Sequence, residues 1–221
     1  MKKILSLSLW GNNPKYTNGA IYNSEIAKTL YPGWVVRIYA DKVAFDIVSD
    51  RLSALDNVEL IMTKEAGDWN GMFWRFLPAF EEDVHIMISR DCDSRINQRE
   101  KDAVDEWLLS DKDFHIMRDH PFHNIEILGG MWGCRNNVIL KCGKDTINAD
   151  LYESKWQIDQ HFLRYEVYPN ITDDIFVHDD YNHFPNESCV KPFPSPRIDN
   201  HFVGEIFDES NNRHPDHYTL L

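Results

Sequence analysis

The chain has 221 residues, a length typical of one domain. Of these, 43% are hydrophobic and 27% are charged, a globular composition that excludes a disordered tail or a fibre. The formal net charge of −13 argues against a protein that binds nucleic acid or an anionic membrane over its whole surface, because both require a basic face. No apolar run approaches the roughly 20 residues of a membrane-spanning helix, so we predict neither a nucleic-acid partner nor a membrane span.

The N-terminus, residues 1–10, resembles the start of a signal peptide, with two lysines followed by an apolar stretch. That stretch is short and ends at 11–15 without a small-residue cleavage pattern, so we predict a first β-strand at 3–10 instead. The four cysteines are scattered and form no C-x-x-C pair, which favours reduced thiols and a cytoplasmic location.

Apolar runs of strand length alternate with helical segments along the first half of the chain. Strands are predicted at 3–10, 35–40, 58–62, 84–88 and 114–117, and helices at 19–30, 43–54, 72–81 and 98–109. The last helix has the clearest start, because Asn97 can cap it and Glu100 follows three residues later. This alternation predicts an α/β fold with a mostly parallel central sheet flanked by helices, in which ligands bind at the carboxyl ends of the strands.

The second half of the chain has fewer regular patterns. A glycine-rich strand or turn is predicted at 129–133, a helix at 154–168 and a short strand at 175–177. Residues 182–200 are rich in proline and asparagine, and the end of the chain is polar. We therefore predict a single domain over 1–205 and a polar C-terminal tail over 206–221.

Two aspartates separated by one residue follow the predicted strand at 84–88. Asp91 and Asp93 can share one divalent cation there, and oxygen ligands favour Mg²⁺ or Mn²⁺. Such an ion lets an acidic protein hold a nucleotide diphosphate and stabilises the diphosphate when a bond to it breaks. The flanking Arg90 and Arg95 support this interpretation. The alternative is a solvated acidic turn, and the Asp-x-Asp at 111–113 is interpreted as one.

Other motifs accompany this pair in a definite order. Arg75 lies on a predicted helix before the acidic strand, and its guanidinium suits phosphate recognition. The remaining motifs are W-G-N-N-P-K-Y at 10–16, S-R-D-C-D-S-R at 89–95, G-G-M-W-G at 129–133, W-Q-I-D-Q-H at 156–161 and a late His178. The set resembles GT-A-fold glycosyltransferases that use nucleotide sugars, in particular retaining glycogenin-like and bacterial galactosyltransferase-like families. It is also similar to small glycosyltransferase domains of large algal DNA viruses, which modify capsid glycans.

The resemblance implies a role for each matching residue. It assigns the metal to Asp91, Asp93 and His178, and it places Asp159 and Gln160 beside the donor sugar as catalytic residues. The implied donor-binding residues are Trp10, Gly11, Tyr16, Arg75, Arg90, Asp91, Gly129, Gly130 and Arg197. The relatives carry an aspartate for the base after the first strand, where this chain has Asn12 and Asn13.

A further pair of polar residues follows the predicted strand at 114–117. Asp119 and His120 are expected on the same side of the sheet as the acidic motif, where they would help to form an acceptor pocket.

The function favoured by these residues is a glycosyltransferase that depends on Mn²⁺ or Mg²⁺. It would move a hexose or deoxyhexose from a UDP-sugar to a hydroxyl of a glycan or glycoprotein. The resemblance implies that the anomeric configuration is retained. We expect the protein in the cytoplasm, which would be the host-cell cytoplasm if the chain is viral. The alternatives are a haloacid-dehalogenase-like phosphatase with Asp91 as nucleophile, a nucleotidyltransferase, and a carbohydrate-binding module that uses some of the seven tryptophans. The sugar, the acceptor, the linkage and the oligomeric state stay open at this point.

Overall fold

The computed structural model describes residues 1–135, 147 and 152–215. Within these residues eight strands form one sheet: β1 (Lys2–Leu9), β2 (Val35–Ala40), β3 (Val58–Met62), β4 (Val84–Ser89), β5 (Phe114–Arg118), β6 (Trp132–Arg135), β7 (Ile175–Asp179) and β8 (Val190–Lys191). Their order across the sheet is β3-β2-β1-β4-β6-β5-β7-β8. β6 pairs antiparallel with β4 and β5, and the remaining pairs are parallel. The predicted α/β domain with a mostly parallel sheet is confirmed.

Hydrophobic packing covers both faces of the sheet, as the nearly continuous apolar strands predict. Successive residues of a strand point to opposite faces, and β1 shows this alternation clearly. Ile4 packs into a core with Phe73, Phe76 and Trp132, whereas Leu5 packs into a second core formed largely with the helices of the other face. Burial of this kind contributes about 1.5–3 kcal/mol for each large aliphatic or aromatic side chain.

Three helices cover one face, namely α1 (Pro14–Leu30), α2 (Lys42–Leu52) and α3 (Gln98–Leu109). The side chain of Asn97 accepts the Glu100 N–H at 2.9 Å, and α3 coincides with the predicted helix at 98–109. α1 begins earlier than the predicted 19–30, because Asn13 accepts the Lys15 N–H at 3.0 Å and Pro14 suits the first helical turn.

A 3₁₀ helix, Trp69–Phe80, replaces the predicted helix at 72–81. It packs against β1 through Ser8, whose hydroxyl accepts the backbone N–H of Arg75 at 2.9 Å and lies 3.4 Å from the Met72 carbonyl oxygen. This contact sets the position of Arg75 relative to the carboxyl end of β1.

The predicted helix at 154–168 is shorter and irregular in the structure. α4 (Ile158–Phe162) continues into one π-helical turn, Leu163–Val167, and then a 3₁₀ turn, Tyr168–Asn170. Gln157 precedes α4 with a φ of +64°, a left-handed conformation that ends any helix running in from 154. At the other end, Pro169 has no backbone N–H to donate to a helical hydrogen bond, and the chain continues only as the short 3₁₀ turn.

The last described residues pack against the acidic motif. Ile206 forms an isolated bridge with Ser94, and the Phe207 N–H donates to the Asp93 carbonyl oxygen at 2.8 Å. The predicted boundary between domain and tail at 205/206 falls within this contact, and residues 216–221 lie outside the described part of the chain. No helix among the described residues is both long and apolar enough to cross a membrane.

Candidate active site

A cavity of about 560 Å³ opens at the carboxyl ends of β1 and β4. Most of the predicted site residues line it, namely Trp10, Gly11, Tyr16, Arg75, Asp91, Asp93, Gly129, Gly130, Asp159 and Gln160. The topology explains this convergence, because β1 and β4 are adjacent parallel strands and the loops after them meet at one edge of the sheet.

The two aspartates after β4 each face a cation. Asp91 forms an ion pair with the Arg75 guanidinium, and Asp93 lies 2.8 Å from the Lys15 Nζ. The Asp91 side chain is 39% exposed and the Asp93 side chain 16%. Burial and the neighbouring Asp91 charge raise the pKa of Asp93, and Lys15 opposes that rise. The two carboxylates therefore concentrate negative charge at this point, and a further positive charge bound there would stabilise them.

Arg75 is the buried centre of the site. Its Nη2 lies 2.7 Å from Asp159 Oδ2, while its Nη1 contacts Asp91, so one guanidinium links two carboxylates from distant parts of the chain. Burial alone would lower the pKa of Arg75, but the Asp91 and Asp159 charges more than offset it and hold the pKa above its ordinary value. Arg75 was predicted as a donor-binding residue, and the structure adds that it joins the acidic motif to α4.

Gly129 and Gly130 lie where the carboxylates approach the backbone. A Cβ added at Gly130 would collide with the Asp91 carboxylate, and one at Gly129 would collide with Asp159 and the Arg75 guanidinium. The resemblance implied that these glycines bind the donor. In the structure their first effect is to admit the three charged side chains of the site.

The loop after β1 forms the aromatic end of the cavity. The Trp10 ring makes edge contacts with Trp69 and Trp74, with centroids 6.5 and 6.3 Å apart. The backbone of this loop is held by Asp41 at the start of α2, whose carboxylate accepts the Gly11 N–H at 3.2 Å. The sequence analysis did not identify Asp41, although its place directly after β2 is a signal of the kind used for Asp91.

The segment before and within α4 supplies the opposite wall. Asp159 has no exposed surface, yet its Oδ1 has no hydrogen-bond partner among the residues that the structure describes. Gln160 Oε1 is likewise buried without a partner in that part of the chain. Trp156 and Gln157 line the same wall and were not predicted as site residues. A buried polar atom without a partner is costly, so this wall is suited to accept hydrogen bonds from a ligand.

Arg90 does not face this cavity, contrary to the prediction. Its side chain is 2% exposed, its Nε lies 2.7 Å from Glu100, and its Nη1 donates to the Trp132 carbonyl oxygen at 3.3 Å. Arg90 therefore ties β4 to α3 and β6.

Asp119, His120 and Arg197 also lie away from the cavity, in a buried network after β5. Asp119 accepts hydrogen bonds from Arg99 at 2.8 Å, from Arg197 at 2.5 Å and from the Val203 N–H at 2.9 Å. His120 is 1% exposed and stacks on Phe202 with ring centroids 4.4 Å apart. The predicted acceptor and diphosphate contacts are thus replaced by contacts within the protein.

His178 is not placed with the two aspartates. Its Nδ1 lies 2.8 Å from His115 Nε2, and its Nε2 lies 3.1 Å from the Glu106 carboxylate. Burial lowers the pKa of His178, which favours the neutral ring. Both ring nitrogens are engaged and the ring does not line the cavity, so the structure does not bring His178 to the predicted metal pair.

Asp91 and Asp93 by themselves fit a hard divalent cation. Carboxylate oxygens are the ligands that Mg²⁺ and Mn²⁺ prefer, and the positive charges of Arg75 and Lys15 show that this position favours cations. Within the described ranges no group of three His, Cys, Asp or Glu side chains suits a metal ion. A cation here would draw its remaining ligands from phosphate oxygens and water, as is common for Mg²⁺.

Comparisons with solved structures identify the fold. The chain is similar to TarS from S. aureus in complex with UDP, at 15% identity and a TM-score of 0.58 over 82% of this chain and 59% of that one. It is similar to the mannosyltransferase PcManGT from Pyrobaculum calidifontis in complex with GDP-Man and Mn²⁺, at 13% identity and a TM-score of 0.54 over 87% and 57%. A cytidylyltransferase from Leptospira borgpetersenii matches at 13% identity and a TM-score of 0.54, over 80% and 75%.

These likenesses show a GT-A-like α/β fold, as the sequence resemblance implied. The chain spans about three fifths of the TarS chain that it matches. No family model and no curated protein sequence matches the chain.

Proposed function

We propose that the chain is a metal-dependent glycosyltransferase that transfers a sugar from a nucleotide diphosphate sugar to a hydroxyl group. The observation that carries the proposal is the single cavity in which Asp91 and Asp93, at the end of β4, face the Arg75–Asp159 pair and the aromatic loop after β1. The bound UDP of TarS and the bound GDP-Man and Mn²⁺ of PcManGT support it on a similar fold.

The charges of the cavity require help to hold a diphosphate. Asp91, Asp93 and Asp159 outnumber the cations Arg75 and Lys15, so an anionic donor would meet net repulsion. Mn²⁺ or Mg²⁺ held by Asp91 and Asp93 would neutralise phosphate charge and stabilise the departing diphosphate. Arg75 contacts Asp91 and Lys15 contacts Asp93, so two cationic side chains adjoin the proposed metal pair.

The aromatic end of the cavity suits the base of the donor. Trp10 and Tyr16 present ring surface beside the polar side chains of Asn12 and Asn13. Aromatic rings provide stacking area, and amide groups both donate and accept hydrogen bonds, which is what a base edge requires. We propose UDP as the nucleotide part, with the asparagines in the place of the base-binding aspartate.

The α4 wall suits the donor sugar. The buried Asp159 Oδ1 and Gln160 Oε1 can accept hydrogen bonds from sugar hydroxyls, and the Asp159 charge stabilises positive charge that develops at the anomeric carbon. In the reaction, the bond from that carbon to the β-phosphate oxygen breaks, and a bond to the acceptor oxygen forms. The nucleoside diphosphate leaves with the bonding electrons, and the hydroxyl proton is released to a phosphate oxygen. Within this proposal the sugar is a hexose or deoxyhexose transferred with retention to a glycan in the cytoplasm.

A thermal-shift measurement tests the donor and metal site. We expect UDP at 100 times its dissociation constant to raise Tm by about 5 °C or more when Mn²⁺ is present. With EDTA the same UDP should leave Tm unchanged, and GDP run in parallel reports base selectivity. An equal shift in EDTA would refute the metal bridge, and no shift with any nucleotide would refute the donor site.

A nucleotidyltransferase is the second candidate, favoured by the likeness to the Leptospira cytidylyltransferase. Such an enzyme would take a nucleoside triphosphate and release pyrophosphate, whereas a glycosyltransferase releases a nucleoside diphosphate. Product analysis with UTP plus a sugar phosphate, against UDP-sugars, therefore separates the two candidates.

A further inference from the structure

Trp156 is a large apolar side chain that the proposed donor site does not use. It lines the cavity and is 67% exposed, although a tryptophan normally buries most of its surface. The left-handed Gln157 that follows it fixes the turn into α4, and the cavity is lined by both residues. Non-glycine residues rarely adopt this conformation, and where they do the strain is concentrated at functional sites.

The same wall carries hydrogen-bond acceptors that lack partners. Asp159, which is fully buried, and Gln160 each have a buried oxygen with no partner among the described residues. An aromatic face beside unpartnered acceptors matches the chemistry of a pyranose, which has an apolar C–H face and a rim of hydroxyl donors. Aliphatic or lipid ligands would leave these oxygens unsatisfied.

The change in burial along this segment indicates whether the Trp156 ring contacts the donor sugar or the acceptor. Asp159 is 0% exposed and Trp156 is 67% exposed, so this short segment runs from the inside of the cavity to its surface. A donor sugar that reaches Asp159 lies inside, and the ring at the rim is left for the group that arrives from solvent.

We propose that Trp156 is the platform on which the acceptor stacks, and that the acceptor is a saccharide. This inference rests on the proposed glycosyltransferase function. The Trp156 ring stacks on the apolar face of an acceptor pyranose. A hydroxyl oxygen of that pyranose then forms the new bond to the anomeric carbon of the donor sugar. The diphosphate departs with the electrons of the broken bond and the hydroxyl proton.

The test is the ratio of sugar transfer to donor hydrolysis. The full chain is incubated with Mn²⁺ and UDP-glucose, UDP-galactose or GDP-mannose, with methyl glycosides of glucose, galactose, mannose and xylose as acceptors. We expect Trp156→Ala to lower the ratio of transfer to hydrolysis about tenfold or more, which corresponds to about 1.4 kcal/mol. Trp156→Phe should restore most of the ratio, because a phenyl ring also stacks. Tyr165→Ala is the matched control, since Tyr165 is 64% exposed and lies outside the cavity.

The outcomes separate this inference from the proposed function. If the unaltered protein neither hydrolyses nor transfers from any donor, the proposed function fails, and this inference with it. If hydrolysis proceeds but Trp156→Ala keeps the ratio of the unaltered protein, the platform is rejected while the function stands. Hydrolysis without transfer to any of the methyl glycosides would reject the saccharide acceptor. If Tyr165→Ala lowers the ratio of transfer to hydrolysis as much as Trp156→Ala does, the platform is also rejected. The loss would then be a general effect of removing an exposed aromatic ring.

Discussion

The carboxyl edge of the sheet has an open half and a closed half. In the open half, at β1 and β4, Asp91 is paired with Arg75, yet its side chain remains 39% exposed to the cavity. In the closed half, at β5 and β7, Asp119 and Asp179 are paired with arginines and have no exposed side-chain surface. Both halves place an aspartate at the end of a buried strand and an arginine against it. The local sequence pattern, an aspartate directly after a buried strand, is therefore the same in both halves, but the environment of the aspartate differs.

What closes the second half is chain that arrives from elsewhere. Arg99 comes from α3, and Arg197 and the Val203 N–H come from the segment after β8, so Asp119 is surrounded by donors. Among the described residues Asp91 receives one guanidinium, and its carboxylate lies against Gly130, where a side chain would collide with it. A carboxylate at a strand end becomes a binding group where its surroundings supply too few donors, and a structural group where they supply enough.

The largest effect is expected from neutralising the closed half. Asp119→Asn removes the charge that the buried Arg99 and the half-buried Arg197 share, and breaking a buried ion pair from one side costs about 3–5 kcal/mol. Urea unfolding of this variant against the unaltered protein measures the loss. Asp46→Asn, in an exposed pair with Lys42, should change stability by less than about 1 kcal/mol. Equal losses in the two variants would contradict the distinction between buried and open charges.

Neutralising the open half should instead affect turnover. Asp93→Asn removes one of the two proposed metal ligands, and we expect donor turnover to fall by on the order of 10²–10³, about 3–4 kcal/mol, with little change in Tm. Asp111→Asn alters the other Asp-x-Asp of the chain, where Asp111 is exposed, and is the matched control. Undiminished turnover of Asp93→Asn would remove Asp93 from the site.

The place that the Asp91 carboxylate occupies against Gly130 can be blocked by a side chain. In Gly130→Ala the new Cβ would collide with the Asp91 carboxylate and displace it from its present position. In the unaltered protein Mn²⁺ should increase the affinity for UDP. We expect this increase to be tenfold to a hundredfold smaller in the variant, a difference of about 1.4–2.8 kcal/mol, with the sheet intact. Isothermal titration of UDP with and without Mn²⁺ checks this. An unchanged metal response would show that Asp91 does not act in metal binding.

The buried His115 of β5 should produce a modest pH dependence of stability. His115 stacks on Trp107, and burial, followed by the nearby His178 and Arg90, holds its pKa well below the ordinary value. In the unfolded chain His115 therefore binds a proton near pH 6.5, whereas in the folded protein it stays neutral at that pH. The free energy of unfolding should fall as the pH drops below about 6.5.

The slope is at most about 1.4 kcal/mol per pH unit for one histidine, and it disappears above that range. Urea unfolding at pH 7.5 and pH 5.5 measures it, and His115→Gln should reduce the difference. If the variant and the unaltered protein lose equal stability on acidification, His115 does not account for the dependence.

Local patterns predicted the elements well where one helix or strand satisfies its own requirements. The capping side chain of Asn97 and the apolar spacing after it place α3 at 98–109, as observed. They predicted less at 154–168, where Gln157 is left-handed and a π-helical turn places Leu163 and Val167 in the core. β8 is two residues long and carries no periodic signal, so it was not predicted.

The order of strands, helices and motifs along the chain determined the fold class and the group of residues at β1, β4 and α4, because parallel strands bring their carboxyl ends to one edge. Only the tertiary structure decided which charged residues at that edge face the cavity. Arg90, Asp119 and His178 look functional in the sequence, but each is enclosed by partners from distant segments. The energy of a charge depends on the donors, acceptors and solvent around it, and those are assembled only when the chain has folded.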